Sequence, residues 1–552
     1  MTVTPRGPAR PFLARRSLVA AVCALAPAVA LSATPGCAAR PGTATAPVGE
    51  TVRTDAGPVR GERSGPHLLF RGIPYAGAPE GRHRWAPPRP VAPWKDVRDA
   101  TAPGPLCPQV PSPYARISST EEDCLVLNVT TPPGTDRRRA APVLVWIHGD
   151  GSVGGGSFFD GRRLAARGLV VVTVNYRLGV FGALALPGLA GSGTFGLQDQ
   201  RAALAWVRRN ARAFGGDPGN VTVAGVSFGA SAVAAHLVSP ASAGLFDRAV
   251  MASGEGMMDM PAGAMGPSVP GYPWYVWRTG REMEDITTAT TSSLGCGDPR
   301  PERVLDCLRS LPAGRILEVP YIMNAFQAFG YGNATLPELP PAALRAGRFH
   351  RVPVLSGATR DEHRTFVGMA YDAAGRPFTG ADYDRALRTA FGAGGAARVR
   401  AAYPPGAFAS PALAWAAVVT DRMWARGTQA QHDALAPHVP VYAYEFADRD
   451  APMFLPLPGR FAFGAFHAGD VPYLFEDGAA EARFTPAQRR LSAAMTGYWA
   501  AFARTGAPGA AGLPGWPAHR VDRPYTQSLA PRRIGPVDYR REHRLDFWNG
   551  LS

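Results

Sequence analysis

The chain has 552 residues, 46% of them apolar and 18% charged, a balance that fits a globular protein and excludes a disordered or membrane-embedded one. At roughly 150 residues per domain the length allows about three domains, or one large α/β unit. The formal charge of +15 raises the question of a nucleic-acid partner, but Lys95 is the only lysine and the arginines are scattered. A nucleic-acid footprint needs basic residues gathered on one face, so none is expected.

Arg6, Arg10, Arg15 and Arg16 precede the apolar stretch Ser17–Ala33, which is short for a membrane span and contains Pro27. Residues 1–39 therefore read as an export signal cleaved among the small residues near Ala30–Ala39. The pair Arg15-Arg16 resembles a twin-arginine signal, with a general secretory signal as the alternative. A secreted protein with no stable membrane insertion after signal removal is expected. "TPGC" lacks the leucine-like residue expected three places before a lipidated cysteine, which argues against an anchor at Cys37. Cys107 with Cys124 and Cys296 with Cys307 form two short-range couples. They read as disulfides of an oxidising compartment, with four buried free thiols as the alternative.

A Pro/Ala/Thr-rich linker spans residues 40–50, and the body, 51–552, has no second low-complexity break. "APVLVWIHG" (141–149) and "GLVVVTVNY" (168–176) are unalternating apolar runs, as expected of strands covered on both faces. Leu204, Val207, Ala211 and Phe214 mark an amphipathic helix over 197–214. Residues 220–227 read as a strand and 229–238 as a helix. Further strands are expected at 248–254, 352–358 and 440–447, and a long helix at 488–506. This alternation argues for a mainly parallel sheet with helices on both faces. The segment 255–350, rich in Pro, Gly and Met, gives no regular pattern and is expected to form excursions over the sheet.

Ser227, in "AGVSFGASA", falls where a β-branched strand stops and an Ala-rich helix starts, the setting in which G-x-S-x-G forms a nucleophile elbow. Side chains at 225 and 229 would collide there, hence the glycines. A nucleophilic serine also needs a base, a group to orient it and amide donors for the oxyanion. "WIHGDGS" (146–152) offers a glycine-rich turn after a strand, "GATRDEHRTF" (357–366) offers Asp361 and Glu362, and "FGAFHAGDVPYLF" (463–475) offers His467. The order Ser, acid, His is that of the α/β-hydrolase fold. No H-E-x-x-H pattern and no zinc-spaced cysteine cluster is present, so no metal or organic cofactor is expected.

With these motifs in place the chain resembles the type B carboxylesterases, the family of cholinesterases, bacterial para-nitrobenzyl esterases and the non-enzymatic neuroligins. The resemblance covers roughly residues 50–550 and is most specific at 70–88, 122–129, 174–232 and 463–470. It implies a single large α/β-hydrolase domain in place of three. By matching motifs Ser227 is the nucleophile, His467 the base and then the acid, and Glu362 the group that orients the imidazole. The N–H groups of Asp150, Gly151 and Phe228 are the oxyanion donors, and Ser253 lies beneath the triad. The two cysteine couples match the family's disulfides. Arg84–Glu122 and Arg177–Asp199 match buried ion pairs.

Three departures sit at the chemistry. Asp150 stands where the family has glycine in its H-G-G-G turn, and its carboxylate is expected to turn away from the oxyanion or pair with a cation. Val226 and Phe228 flank Ser227 in place of a glutamate and a small residue. His363, a surface or packing residue by this reading, follows Glu362 where glycine is usual. Met257, Met258, Trp274 and Trp277 are candidates for either pocket lining or core. The expected activity is hydrolysis of small-molecule carboxylic esters. The alternatives are a catalytically silent binding protein on the same scaffold and an amidase or peptidase using the same groups.

Overall fold

The apolar runs read from the sequence become the centre of one eleven-stranded sheet. The computed structural model describes residues 48–551 apart from 114, 137 and 458–460. The leader expected over residues 1–39, Cys37 and most of the linker lie outside the described residues. In chain order the strands are β1 (Glu62–Ser64), β2 (His67–Pro74), β3 (Val126–Thr130), β4 (Ala141–Ile147), β5 (Val170–Val174) and β6 (Gly216–Val226). They continue with β7 (Arg248–Ala252), β8 (Val354–Thr359), β9 (Val441–Phe446), β10 (Thr526–Ala530) and β11 (Arg533–Val537). Their spatial order is β11-β10-β9-β8-β7-β6-β4-β5-β3-β2-β1. All pairings from β5 to β10 are parallel, and both outer flanks are antiparallel.

Successive strand residues point to opposite faces. Val143, Val145 and Ile147 of β4 pack into a core with α1 (Phe195–Asn210) and α2 (Phe228–Val238). Leu144 and Trp146 face the other way, into a core with α4 (Pro486–Thr505). The helix α3 (Arg426–Leu435) adds Leu435 to the first core. Local chemistry sets the limits of α4. Thr485 and Gln488 form a reciprocal capping box, Pro486 opens the first turn, and Gly506 closes the helix at φ 81°. Two short turns, α5 (Tyr539–Glu542) and α6 (Leu545–Asn549), follow the last strand.

The segment 255–350 is more regular than expected. It holds helices at Gly280–Thr291 and Pro301–Ser310 and a two-strand ribbon pairing Trp277–Thr279 with Phe329–Tyr331. Thr279 and Glu282 form a capping box at the first helix, a T-x-x-E signal present in the sequence. Cys107 is bonded to Cys124 and Cys296 to Cys307. Both expected ion pairs form and are largely buried: Arg84 Nε donates to Glu122 at 2.6 Å, and Arg177 grips Asp199 through two nitrogens at 2.7 Å each. Among the described residues no helix is long and apolar enough to cross a membrane.

Candidate active site

The turn between β6 and α2 puts Ser227 at φ 57°, ψ −126°, a conformation costing about 1–3 kcal/mol for a residue with a side chain. The flanking glycines have identifiable neighbours. A Cβ on Gly225 would lie 2.4 Å from the Gly229 carbonyl, and one on Gly229 would lie 2.2 Å from that of Ile147 in β4. The turn is anchored by Ser227 N–H, which donates to Ala252 O at the end of β7 (2.8 Å).

Three distant segments meet at this serine. His467 Nε2 lies 2.8 Å from Ser227 Oγ, and Nδ1 lies 2.5 Å from Glu362 Oε2. Glu362, just beyond β8, receives the Thr359 N–H on its other oxygen at 2.6 Å. Both Glu362 and the His467 ring are buried. The rings of Phe366 and Trp424 lie 5.0 and 4.9 Å from the imidazole and confine it from two directions. Sequence reading missed both rings. Of the two roles read for His363, surface or packing, the structure gives packing: it is fully buried, donating from Nε2 to Ala264 O (2.9 Å) and accepting the Trp424 indole N–H at Nδ1 (3.3 Å). Burial holds its imidazole down at about 3. A neutral His363 therefore props the tryptophan that confines His467.

The glycine-rich turn after β4 carries the three other expected groups. Asp150 sits at φ 67° and Gly151 at φ 83°. Aspartate tolerates this left-handed region because its short side chain can bond to nearby backbone. Its Oδ1 accepts from Ser152 N–H (2.9 Å), Val153 N–H (3.2 Å), the Ser152 hydroxyl and Gln327 Nε2 (2.9 Å). The carboxylate is folded into its own turn by neutral donors, and no cation pairs with it among the described residues. Burial pushes its pKa up from the usual carboxylate range, making it a weaker acid, and these hydrogen bonds oppose that shift. Gln327 Nε2 also reaches the Asp150 carbonyl at 2.9 Å. Of the expected oxyanion donors, Asp150 and Phe228 N–H have no hydrogen-bond partner among the described residues. Gly151 N–H donates back to Gly149 O at 2.9 Å, closing a γ-turn of the strained hand.

Two further buried acids that the sequence did not single out, Glu255 and Asp470, feel the charge of Glu362. Burial, with the Glu362 charge adding to it, pushes Glu255 up to about 8 and Asp470 up to about 6. Ser253 is buried at φ 52°, and its hydroxyl has no partner among the described residues. In front of Ser227 a cavity of about 280 Å³ is lined by His467, Val226 and Asp150 together with Phe158, Phe159 and Phe475. Met257, Met258, Trp274 and Trp277 do not line it; Met257, Met258 and Trp277 are buried core residues.

Residues 49–548 match the model of the Carboxylesterase family. The chain is 35% identical to the para-nitrobenzyl esterase of Bacillus subtilis (strain 168), over 86% of this chain and 93% of that protein. It is 31% identical to the acylcarnitine hydrolase of Rattus norvegicus, over 91% of each. A solved thermophilic para-nitrobenzyl esterase superposes with a TM-score of 0.74 at 31% identity, covering 90% of this chain and 99% of that one. The order of strands, the strained serine turn and these likenesses agree: the chain belongs to the carboxylesterase family and is a carboxylesterase on an α/β-hydrolase scaffold.

Proposed function

We propose that this chain is an exported serine esterase that cleaves small-molecule carboxylic esters through an acyl-enzyme, with Ser227, His467 and Glu362 as its triad. The observation that carries this reading is the hydrogen-bonded chain from Ser227 Oγ through His467 to Glu362, with contacts of 2.8 and 2.5 Å. Ser227 Oγ attacks the ester carbonyl while its proton passes to His467 Nε2. Glu362, held by the Thr359 N–H, fixes the tautomer and stabilises the imidazolium. The tetrahedral adduct expels the alcohol, which takes the proton from His467. Water then gives a proton to the same nitrogen and attacks the acyl-serine, and Ser227 Oγ takes that proton back as the acid leaves.

The oxyanion is received by the N–H groups of Asp150, Gly151 and Phe228, each such donor contributing about 3 kcal/mol. Gly151 N–H leaves Gly149 O as the charge forms. The two disulfides support export to an oxidising compartment.

Hydrolysis of p-nitrophenyl acetate by the wild type and by Ser227→Ala tests the reading, together with labelling by a fluorophosphonate. Turnover is expected to fall by at least about 10³-fold in the variant, with the label on Ser227. Undiminished turnover in the variant, or a label elsewhere, overturns the assignment. No turnover above the alanine control on a broad ester panel points to a binding protein on this scaffold.

A further inference from the structure

Two very unequal cavities adjoin the Asp150–Gly151 turn, and only the larger reaches Ser227. On the side of His467 the cavity of about 280 Å³ has walls from Phe158, Phe159, Val226, Phe454, Val471 and Phe475. A cavity of about 150 Å³ holds a benzene ring, so this one takes a ring with several further carbons. Toward Gly151 the Phe228 ring closes the space. It lies face to face with Phe329 at 4.4 Å and 19°, and Phe329 in turn packs against Trp277 at 5.5 Å. The same ring abuts Gly151, where a Cβ would come within 2.6 Å of it. The void beyond, bounded by Gly151, Phe228 and Phe329, measures about 10 Å³, no more than one water needs.

The chemistry decides which half of an ester meets which side. In the adduct on Ser227 the oxyanion points at the amides, and the leaving oxygen must come within reach of His467 Nε2 to take its proton. The alcohol half therefore lies along the wall shared by His467, Ala468 and Val471, which is the large cavity. The acyl substituent takes the remaining direction, against Phe228 with Phe329 stacked on it.

Resting on the triad proposed above, we infer that the chain is selective for esters of a small acyl group, acetyl to propionyl in size, with a bulky apolar or aromatic alcohol. Phe228 sets the acyl limit with its side chain while its N–H faces the oxyanion. The aromatic stack with Phe329 holds that ring in place.

The test is a kcat/KM series of p-nitrophenyl acetate, butyrate and hexanoate, and a second series of acetates of ethanol and cyclohexylmethanol, alcohols of similar acidity. One ill-fitting methylene changes kcat/KM by roughly 10-fold or more. Acetate is expected to exceed butyrate by at least about 10-fold and hexanoate by about 100-fold, and cyclohexylmethyl acetate to exceed ethyl acetate by about 10-fold. Phe228→Ala is expected to raise the hexanoate-to-acetate ratio at least about 10-fold. Phe329→Ala, which trims the same wall without touching an oxyanion donor, is expected to raise it in the same direction and serves if Phe228→Ala does not fold. Hydrolysis abolished by Ser227→Ala, yet equally fast for acetate and hexanoate, overturns this inference and leaves the triad standing. Ratios unmoved in both wall variants do the same. Hydrolysis that survives Ser227→Ala overturns the triad itself.

Discussion

Replacing His543 by glutamine should remove a proton-linked fastening between the C-terminal turns and the sheet. His543 is buried, with Nδ1 2.6 Å from Asp421 Oδ1 and Nε2 2.7 Å from Glu445 Oε1 in β9. Arg360 and Tyr403 complete the cluster, bonding Glu445 (3.1 Å) and Asp421 (2.6 Å). Burial disfavours the imidazolium, but the charge and hydrogen bond of Asp421, then of Glu445, overcome it and push His543 up to about 10. The unfolded chain titrates near 6.5. At about 1.4 kcal/mol per pH unit, that gap caps the proton-linked stabilisation at about 5 kcal/mol.

Because the folded value is the higher one, the stabilisation is complete below pH 6.5, declines as pH rises above it and is gone once pH passes about 10. Neither lysines nor free thiols crowd the alkaline end of this window among the described residues. Lys95 is the only lysine, and Cys107, Cys124, Cys296 and Cys307 are all disulfide-bonded. Burial and the Asp421 charge also push Tyr403 well above its ordinary value. The assay is chemical denaturation of the wild type and His543→Gln at about pH 6, 7.5, 9 and 10.5, read as the difference in unfolding free energy. A difference of several kcal/mol at about pH 6 that shrinks steadily to the last point is expected. A difference that does not change with pH refutes the charged-imidazole argument.

Two further substitutions probe the carboxylates near Ser227. An ionised group about 5 Å from an oxyanion opposes it by about 3 kcal/mol at an effective dielectric near 20, but the donors on Asp150 Oδ1 weaken that field. Asp150→Gly is therefore expected to change kcat for an acetate ester by less than about tenfold, and a larger rise marks the carboxylate as a brake. Glu255 keeps its proton when folded up to about pH 8, whereas the unfolded chain releases it near 4.5, so its burial costs stability increasingly across that interval. Glu255→Gln should raise the melting temperature above pH 8 and leave it little changed below pH 4.5; an equal effect at both ends excludes titration as the cause.

Much of the sheet was legible because burial on both faces writes unbroken apolar runs into β4, β5 and β6. The elbow was legible because its glycines are required by contacts within a few residues and with one neighbouring strand. Features missed in the sequence depend on partners far apart in the chain. The sequence left His363 open between surface and packing, because its burial rests on Ala264 and Trp424, roughly 100 and 60 positions away. Nothing local to Asp150 announces Gln327, and nothing in "SFG" reveals the ring of Phe329. The helix at Gly280–Thr291 is a different case, since its capping box was visible but the surrounding prolines and glycines masked the period that would have confirmed it.

The stretch from Gln327 to Phe329 bears on two properties of catalysis at once. Its amide braces the peptide joining Asp150 to Gly151, and two residues later its ring backs Phe228. Any backbone shift that widened the room inferred for longer acyl chains would also tilt the Gly151 amide proposed as an oxyanion donor. Broader scope is thus reached at least cost by shaving side chains on a stationary main chain, whereas exchanging the whole segment would sacrifice turnover along with selectivity.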